Sequence, residues 1–259
     1  MTCSLRVLGC SGGIGAGLRT TSFLLNDDTL IDAGTGVGDL TLDQLRKIDR
    51  IFLTHSHLDH ICSVGFLADS VGASRTKPIT VFGIPETLDN LQKHILNNFI
   101  WPDFTVIPSI DHPFLNLQAI EIGQIIPFDG FSIATLPVKH SIAANGYAIT
   151  SDTGTLVFSG DTGPHPDFWQ AIKQYPNLEH LLIETSFTAT EQELADVSGH
   201  YSSQSIVTDL KNLKSTNTKV WISHLKPDGG QQIIQEILNS SAHLPQRIHS
   251  LGQDQILVF

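Results

Sequence analysis

The sequence predicts a mixed α/β fold in which two β-sheets pack together and helices cover their outer sides. Three observations carry this: an N-terminal run of short apolar strands broken by turn residues, a central stretch that is nearly all β-like, and a C-terminal part in which strands and helices alternate. Hydrophobic residues make up 41% and charged residues 16% of the 259, a composition that buries a large core and excludes a disordered or coiled-coil chain. No internal repeat or linker-like stretch interrupts it, so one continuous domain over 1–259 is expected.

Leu5 to Leu8, Ser22 to Leu25 and Leu30 to Asp32 read as strands of a meander, separated by Gly, Asn and Asp. Asp39 to Ile48 has helical spacing, and Ile51 to Leu53 and Ile79 to Phe82 are short apolar strands. Pro85 opens a helix running to about Asn97, proline being favoured in a first helical turn. From Leu115 to Ile149 several β-like runs follow, with Asp129-Gly130 and Asn145-Gly146 as turn or hairpin signals. After the strand Thr155 to Ser159 the pattern alternates: helix near Asp167 to Gln174, strand Leu181 to Ile183, helix Ser203 to Leu213, strand Val220 to Ile222, helix Gln231 to Leu238.

Lys and Arg number 15 against 26 Asp and Glu, a formal charge of −11 that argues against a broad nucleic-acid or anionic-membrane surface. Three cysteines, Cys3, Cys10 and Cys62, without a CxxC spacing suggest neither a disulfide framework nor a thiolate zinc site. The N-terminus lacks a signal-peptide pattern, and no run reaches the roughly 20 apolar residues of a membrane span, so a cytoplasmic location is expected.

The informative segment is Ile51-Phe-Leu-Thr-His55-Ser-His57-Leu-Asp59-His60, where a buried strand runs into a loop bearing three histidines and an aspartate. With 12 histidines in the chain, a chance H-x-H-x-D-H has a probability on the order of two in a thousand. Imidazole nitrogen and carboxylate oxygen packed this densely suit a divalent metal such as zinc. Further candidates stand after strands, where α/β sites collect: His140 after Val138-Lys, Asp161 after Phe158-Ser-Gly, and His224 after Trp221-Ile-Ser. A lone histidine at a strand end is more often structural, but four strand-end ligand loops in one chain favour metal.

On these residues the chain resembles the metallo-β-lactamase fold hydrolases, whose H-x-H-x-D-H, later His, Asp and last His are matched in order over nearly the whole chain. The resemblance implies an αββα four-layer sandwich. It also implies one zinc held by His55, His57 and His140, a second by Asp59, His60 and His224, and Asp161 bridging the two. Two such ions share a deprotonated water that acts as nucleophile, which Asp59 could orient. Manganese or iron could occupy the same N/O ligands.

The fold alone names no substrate, since it serves β-lactamases, thioesterases, lactonases, nucleases and phosphodiesterases. A second pair discriminates: Glu184, ending the strand Leu181-Leu-Ile, and His200 in Ser198-Gly-His. His200 suits a general acid that protonates a departing alkoxide, with Glu184 orienting the imidazole and raising its pKa. The plainer reading is a buried strand-end Glu and a helix-cap turn. Glu184-Thr-Ser-Phe187 and Gly199-His200-Tyr-Ser202 are similar to stretches of the tRNase Z type endonucleases.

The class II cyclic-nucleotide phosphodiesterases are more similar, in Leu8-Gly-Cys-Ser-Gly-Gly13, Asp32-Ala-Gly-Thr35, His57-Leu-Asp-His60, Glu184 to Phe187, Ser198 to His200 and His224-Leu-Lys-Pro227. One departure stands out: where that family continues after His60 with an unbroken apolar run, Gly65 interrupts here and Asp69-Ser70 follow. The implied activity is a dinuclear zinc phosphodiesterase opening 3′,5′-cyclic AMP or GMP to nucleoside 5′-phosphates, with a small-molecule substrate and homodimerisation as an expectation from the resembling families. The alternatives are a tRNA 3′-processing endonuclease, which the charge argues against, and a non-catalytic metal- or nucleotide-binding sensor.

Lys226, two residues beyond a candidate ligand, is the basic residue placed to meet the substrate phosphate; the bland reading is an exposed loop lysine. Phe66, Trp101, Tyr147 and Phe187 are candidates for stacking on a base and equally for core. The glycine-rich Gly9 to Gly17 leads into a strand rather than the helix that a dinucleotide loop requires, and Cys62 reads as a small residue opening a helix. His94, His112, His165, His180, His243 and His249 have no ligand pattern.

Overall fold

A computed structural model describes residues 2–259. The first sheet begins with β1 (Ser4–Gly9), β2 (Ser22–Leu25) and β3 (Thr29–Ile31), an antiparallel meander. Thr41 then caps α1 (Leu42–Lys47) with a capping box completed by Gln44, so the helix starts later than its apolar spacing predicts. β4 (Arg50–Phe52) runs parallel to β3 and is followed by α2 (Leu58–Ile61) and α3 (Ser63–Val71). The expected histidine loop is therefore half helix: His55 and His57 precede α2, while Asp59 and His60 lie within it. β5 (Ile79–Gly83) and α4 (Pro85–His94) come next, the helix ending three residues before the predicted Asn97. A two-strand ribbon, β6 (Pro108–Ser109) and β7 (His112–Pro113), leads to β8 (Leu115–Ala119), which completes the parallel part of the sheet.

The second sheet opens with β9 (Ile125–Phe128) and β10 (Phe131–Pro137), joined by the predicted Asp129-Gly130 turn with Gly130 at φ +80. β11 (Asn145–Ser151) pairs antiparallel with β10 from its first residue, so Asn145-Gly146 is a strand start and the predicted turn there is corrected. Glycine is needed at 146 for close approach: a Cβ would meet the Phe158 and Ser159 carbonyl oxygens at 2.8 and 2.9 Å. β12 (Thr155–Phe158), α5 (Pro166–Ile172), β13 (Leu178–Glu184), α6 (Gln192–Ser198), α7 (Ser203–Leu210), β14 (Lys219–Ser223), α8 (Gly230–Ser240) and β15 (Arg247–Ser250) follow, with β12 to β15 parallel. β16 (Ile256–Val258) returns to the edge of the first sheet beside β1.

The sheet orders are β16-β1-β2-β3-β4-β5-β8 and β15-β14-β13-β12-β11-β10-β9. Successive side chains on a strand face opposite ways, so strands buried on both sides read as continuous apolar runs. Phe23, Ile31, Phe52 and Phe82 pack between the sheets against Ile133, Tyr147, Leu156 and Phe158, whereas their neighbours Leu24, Leu30, Ile51 and Val81 pack under Leu45, Leu67 and Leu91 of the helices. On the far side Leu181 and Ile183 pack with Phe168, Ile206 and Ile237 while Leu182 faces inward. Three apolar layers thus separate four structural ones, the αββα sandwich that the resemblance implies. Tyr147 belongs to the middle layer, its hydroxyl donating to the Leu53 carbonyl at 2.6 Å, which removes it from the stacking candidates. Among the described residues no helix is long and apolar enough to cross a membrane.

Candidate metal centre

Every candidate ligand follows the C-terminal end of a strand or sits one turn beyond it: His55, His57, Asp59 and His60 after β4, His140 after β10, Asp161 after β12 and His224 after β14. The sandwich brings all seven together in two groups that share one residue. His55, His57, His140 and Asp161 form the first, and Asp59, His60, Asp161 and His224 the second; within each, one ligand atom per residue lies within 4.8 Å of the others.

The hydrogen bonds behind these rings fix which nitrogen faces the centre. Nδ1 of His140 lies 2.9 Å from the Gly199 carbonyl, which can only accept, so Nδ1 carries the proton and Nε2 presents a lone pair. The Thr54 hydroxyl donates to Asp32 at 2.8 Å and therefore accepts from Nδ1 of His55 at 3.0 Å, again leaving Nε2 bare. These two Nε2 atoms converge on Nδ1 of His57 at 3.0 and 3.1 Å. His60 places Nδ1 2.7 Å from Asp32 and Nε2 3.4 Å from Asp161. Nε2 of His60 and Oδ1 of Asp161 are buried without a hydrogen-bond partner. A proton on Nδ1 of His57 can satisfy only one of those two Nε2 lone pairs, and with two further buried polar atoms unsatisfied this is a cost that a divalent cation removes, so the donor set fits such ions.

Electrostatics agree. Burial pushes His55 well below the usual imidazole range, aided by His60. Burial opposes charge on His60 too, yet the Asp161 and Asp32 carboxylates outweigh it and hold His60 well above that range. Burial would raise Asp161, and the facing His224 and His60 instead hold it well below the ordinary carboxylate value. Burial also lowers His57, His140 and His224, so these imidazoles stay neutral, the form that binds a metal.

The second predicted pair also assembles. Glu184 Oε1 lies 2.7 Å from Nδ1 of His200 and accepts from the Thr162 amide at 3.0 Å, while Ser186 donates to Oε2 at 3.3 Å. Burial disfavours charge on His200, but the Glu184 carboxylate prevails and raises its pKa. The His200 ring stands 4.8 Å from that of His140 and 5.5 Å from that of His224, centroid to centroid.

Residues 40–252 match the family of class-II cAMP phosphodiesterases. The chain belongs to that family. Its relatives include 3′,5′-cyclic-nucleotide phosphodiesterase 1 of Saccharomyces cerevisiae, 26% identical over 200 residues that cover 68% of this chain and 53% of that protein. Ribonuclease Z of Bradyrhizobium diazoefficiens is 31% identical over 146 residues, 53% of this chain and 46% of that protein. The chain spans about half the length of the curated relatives it matches. In fold it is similar to unliganded yeast PDE1, with a TM-score of 0.81 at 20% identity and coverage of 100% and 99% of the two chains. The metallo-β-lactamase fold protein YhfI of Bacillus subtilis gives 0.79 at 19% identity over 100% and 99%.

Within this member of the class-II phosphodiesterase family three site features escaped the sequence reading of roles. Asp32, fully buried at φ 56, accepts from the Thr54 amide and hydroxyl and orients His60; its motif was visible, its partners were not. Thr21 contacts His224, its hydroxyl 3.3 Å from the Nδ1 that also lies 3.2 Å from Oδ1 of Asp161, with nothing in the chain order to announce it. Gly199 ends α6 at φ +71, and a Cβ there would meet the Ser141 nitrogen at 2.8 Å, so only glycine lets its carbonyl reach His140 while the next residue supplies His200. Lys226 is half-buried and donates to the Gly12 carbonyl at 3.1 Å; its charge reaches the centre, where it disfavours protonation of His200 and His224. Phe187 lies edge-on to His200, with ring centroids 5.8 Å apart.

Proposed function

We propose that this chain is a single hydrolase domain over 1–259 that opens 3′,5′-cyclic AMP or GMP to the nucleoside 5′-phosphate, using two divalent ions with zinc as the leading candidate. His55, His57 and His140 would hold one ion, Asp59, His60 and His224 the other, and Asp161 both. When bound, such ions neutralise charge on phosphate oxygens and lower the pKa of water enough to make it a nucleophile near neutral pH.

The observation that carries the phosphodiester reading is the His200–Glu184 pair. A buried imidazole with Nδ1 fixed 2.7 Å from a carboxylate and a raised pKa is built to carry a proton on Nε2. As water adds to phosphorus and the bond to the 3′-oxygen breaks, that proton passes to the departing oxygen, which in water would leave as a poor, strongly basic alkoxide. Asp59, with its side chain 30% exposed at the edge of the buried group, is placed to take the proton of the attacking water. Lys226 adds local positive charge for a monoanionic substrate. A chain of net charge −11 suits a small cyclic nucleotide and repels a tRNA-sized polyanion.

The test is product analysis of zinc-loaded protein offered cyclic AMP, cyclic GMP, precursor tRNA and a chromogenic phosphodiester, with Asp161→Ala as control. Metal-dependent release of 5′-mononucleotide supports the proposal. Cleavage of precursor tRNA alone replaces it with the endonuclease reading, and tight nucleotide binding without turnover replaces it with a sensor.

A further inference from the structure

The interruption at Gly65 has a structural consequence. Leu58, Gly65 and Phe66 lie along one face of α2 and α3, and with Ile95, Ile100 and Trp101 they line a cavity of about 270 Å³ that carries no charged side chain. Leu58, which lines the cavity, stands in the chain between the candidate ligands His57 and Asp59, and this places one end of the cavity beside the segment that carries them. The Trp101 indole lies against the bare helix surface at Gly65; a Cβ there would sit 2.8 Å from Trp101 Cδ1 and 3.2 Å from Nε1. Phe66 stands edge-on to that indole, ring centroids 5.0 Å apart at 70°.

The wall is preorganised. Trp101 donates its amide to the Ile95 carbonyl at 3.0 Å, and the Asn97 side chain accepts from the amides of Phe99 and Ile100 at 3.0 and 2.8 Å. Leu58 and Phe66 are nonetheless 64% and 57% exposed, two large apolar side chains left in water where the cavity opens.

We infer that this cavity receives the base of the nucleotide, with Phe66 and Trp101 as its aromatic walls and Gly65 as the residue that lets Trp101 dock. The inference rests on the cyclic-nucleotide reading of the neighbouring centre. A flat heterocycle suits it: the volume lies just under the roughly 300–1,000 Å³ of pockets for drug-sized ligands, which fits one ring system and no helix or peptide. The two rings meet edge-on, so a base stacks on the free face of one of them; because every base has a π-face, this contact sets affinity for nucleotides as a class rather than choosing adenine over guanine. The walls also offer the phosphate no cation, which orients the substrate with its phosphate toward the histidines.

Phe66→Ala and Gly65→Ala are the variants that test this, the first because an exposed ring is removable without unfolding. Both are assayed for steady-state turnover of cyclic AMP and of a base-free 3′,5′-cyclic phosphate of methyl riboside, for quenching of tryptophan fluorescence by 5′-AMP, and for oligomeric state by light scattering. The expected result is a KM for cyclic AMP raised about tenfold or more with kcat within about twofold, weaker quenching to match, and unchanged turnover of the base-free analogue. Unchanged KM and quenching in Phe66→Ala overturn the inference, as does a change of oligomeric state alone, which would make the face a contact between copies. If the wild-type chain leaves cyclic nucleotides intact, the functional reading fails separately. AMP quenching then decides the cavity: lost in Phe66→Ala it supports a base site, retained it refutes one.

Discussion

The two sheets build the centre in opposite ways. The first sheet contributes four candidate ligands from one continuous segment, His55 to His60, backed by a single buried carboxylate, Asp32, that the Thr54 side chain and amide hold. The second sheet contributes single residues, His140, Asp161, Glu184 and His224 from separate strand ends and His200 from the turn after α6, backed by different neighbours such as the Gly199 carbonyl or the Thr162 amide. One side is a local motif with one support. The other is a set of independent placements that exists only once β10 to β14 are in register.

That contrast makes substitutions on the two sides unequal. Asp161→Ala removes the residue common to both ligand groups, and a loss of roughly 10³-fold or more in turnover is expected, together with a fall in bound metal by elemental analysis; full metal content would remove Asp161 from the ligand set. His200→Ala is expected to cut kcat by about 10²-fold with metal content intact, and metal loss instead would make His200 a ligand. Asp32→Asn removes no candidate ligand, yet a single substitution at the carboxylate that holds His60 should weaken metal affinity by about 10- to 100-fold in a chelator competition. An equal effect from Thr21→Ala, which backs only His224, would show that the two sides are not differently supported.

Gly199→Ala forces a Cβ into a left-handed residue packed on His140, and about 1–3 kcal/mol of stability should be lost, read as a lower Tm. The smallest effect lies at the other end of β4, where Asp49 accepts from Arg75 and Lys77 at 2.6 Å each. Burial would raise its carboxyl, but the hydrogen bonds and charges of Lys77 and Arg75 outweigh burial and lower it. A lowered folded-state pKa gives stability that is complete above the unfolded value near 3.9 and lost as pH falls through the lower folded value. Asp49→Asn should therefore cost under about 1 kcal/mol at pH 7 and less in acid, the pair being partly exposed. A cost that grew on acidification would reverse the assignment.

The same contrast explains what the sequence made legible. The local motif announces itself because its spacing is short, and His140, Asp161, Glu184 and His224 could be nominated because an apolar run precedes each. Their pairing into two groups came from resemblance; chain order alone does not say which strand ends meet. Asp32 and Thr21 were missed as supports because a buried Asp or Thr in a turn has no signature until its partner across the sheet is known. Asn145-Gly146 misled for a related reason: glycine serves a tight turn and a close strand approach equally, and only the Phe158 carbonyl behind it decides. α6 was missed because its seven residues, Gln192–Ser198, bury only Ala195 and so carry no apolar stripe.

In β4, Ile51 packs outward beneath the helices, Phe52 inward between the sheets, and three residues later His55 enters the centre. Each of these side chains is placed by counting along one extended segment. A single residue inserted or deleted between Phe52 and Thr54 would leave both core layers in place and turn His55 away from the centre. Length is therefore the tighter constraint over this stretch, and designed libraries should tolerate substitutions here while confining their gaps to loops such as the one between α3 and β5.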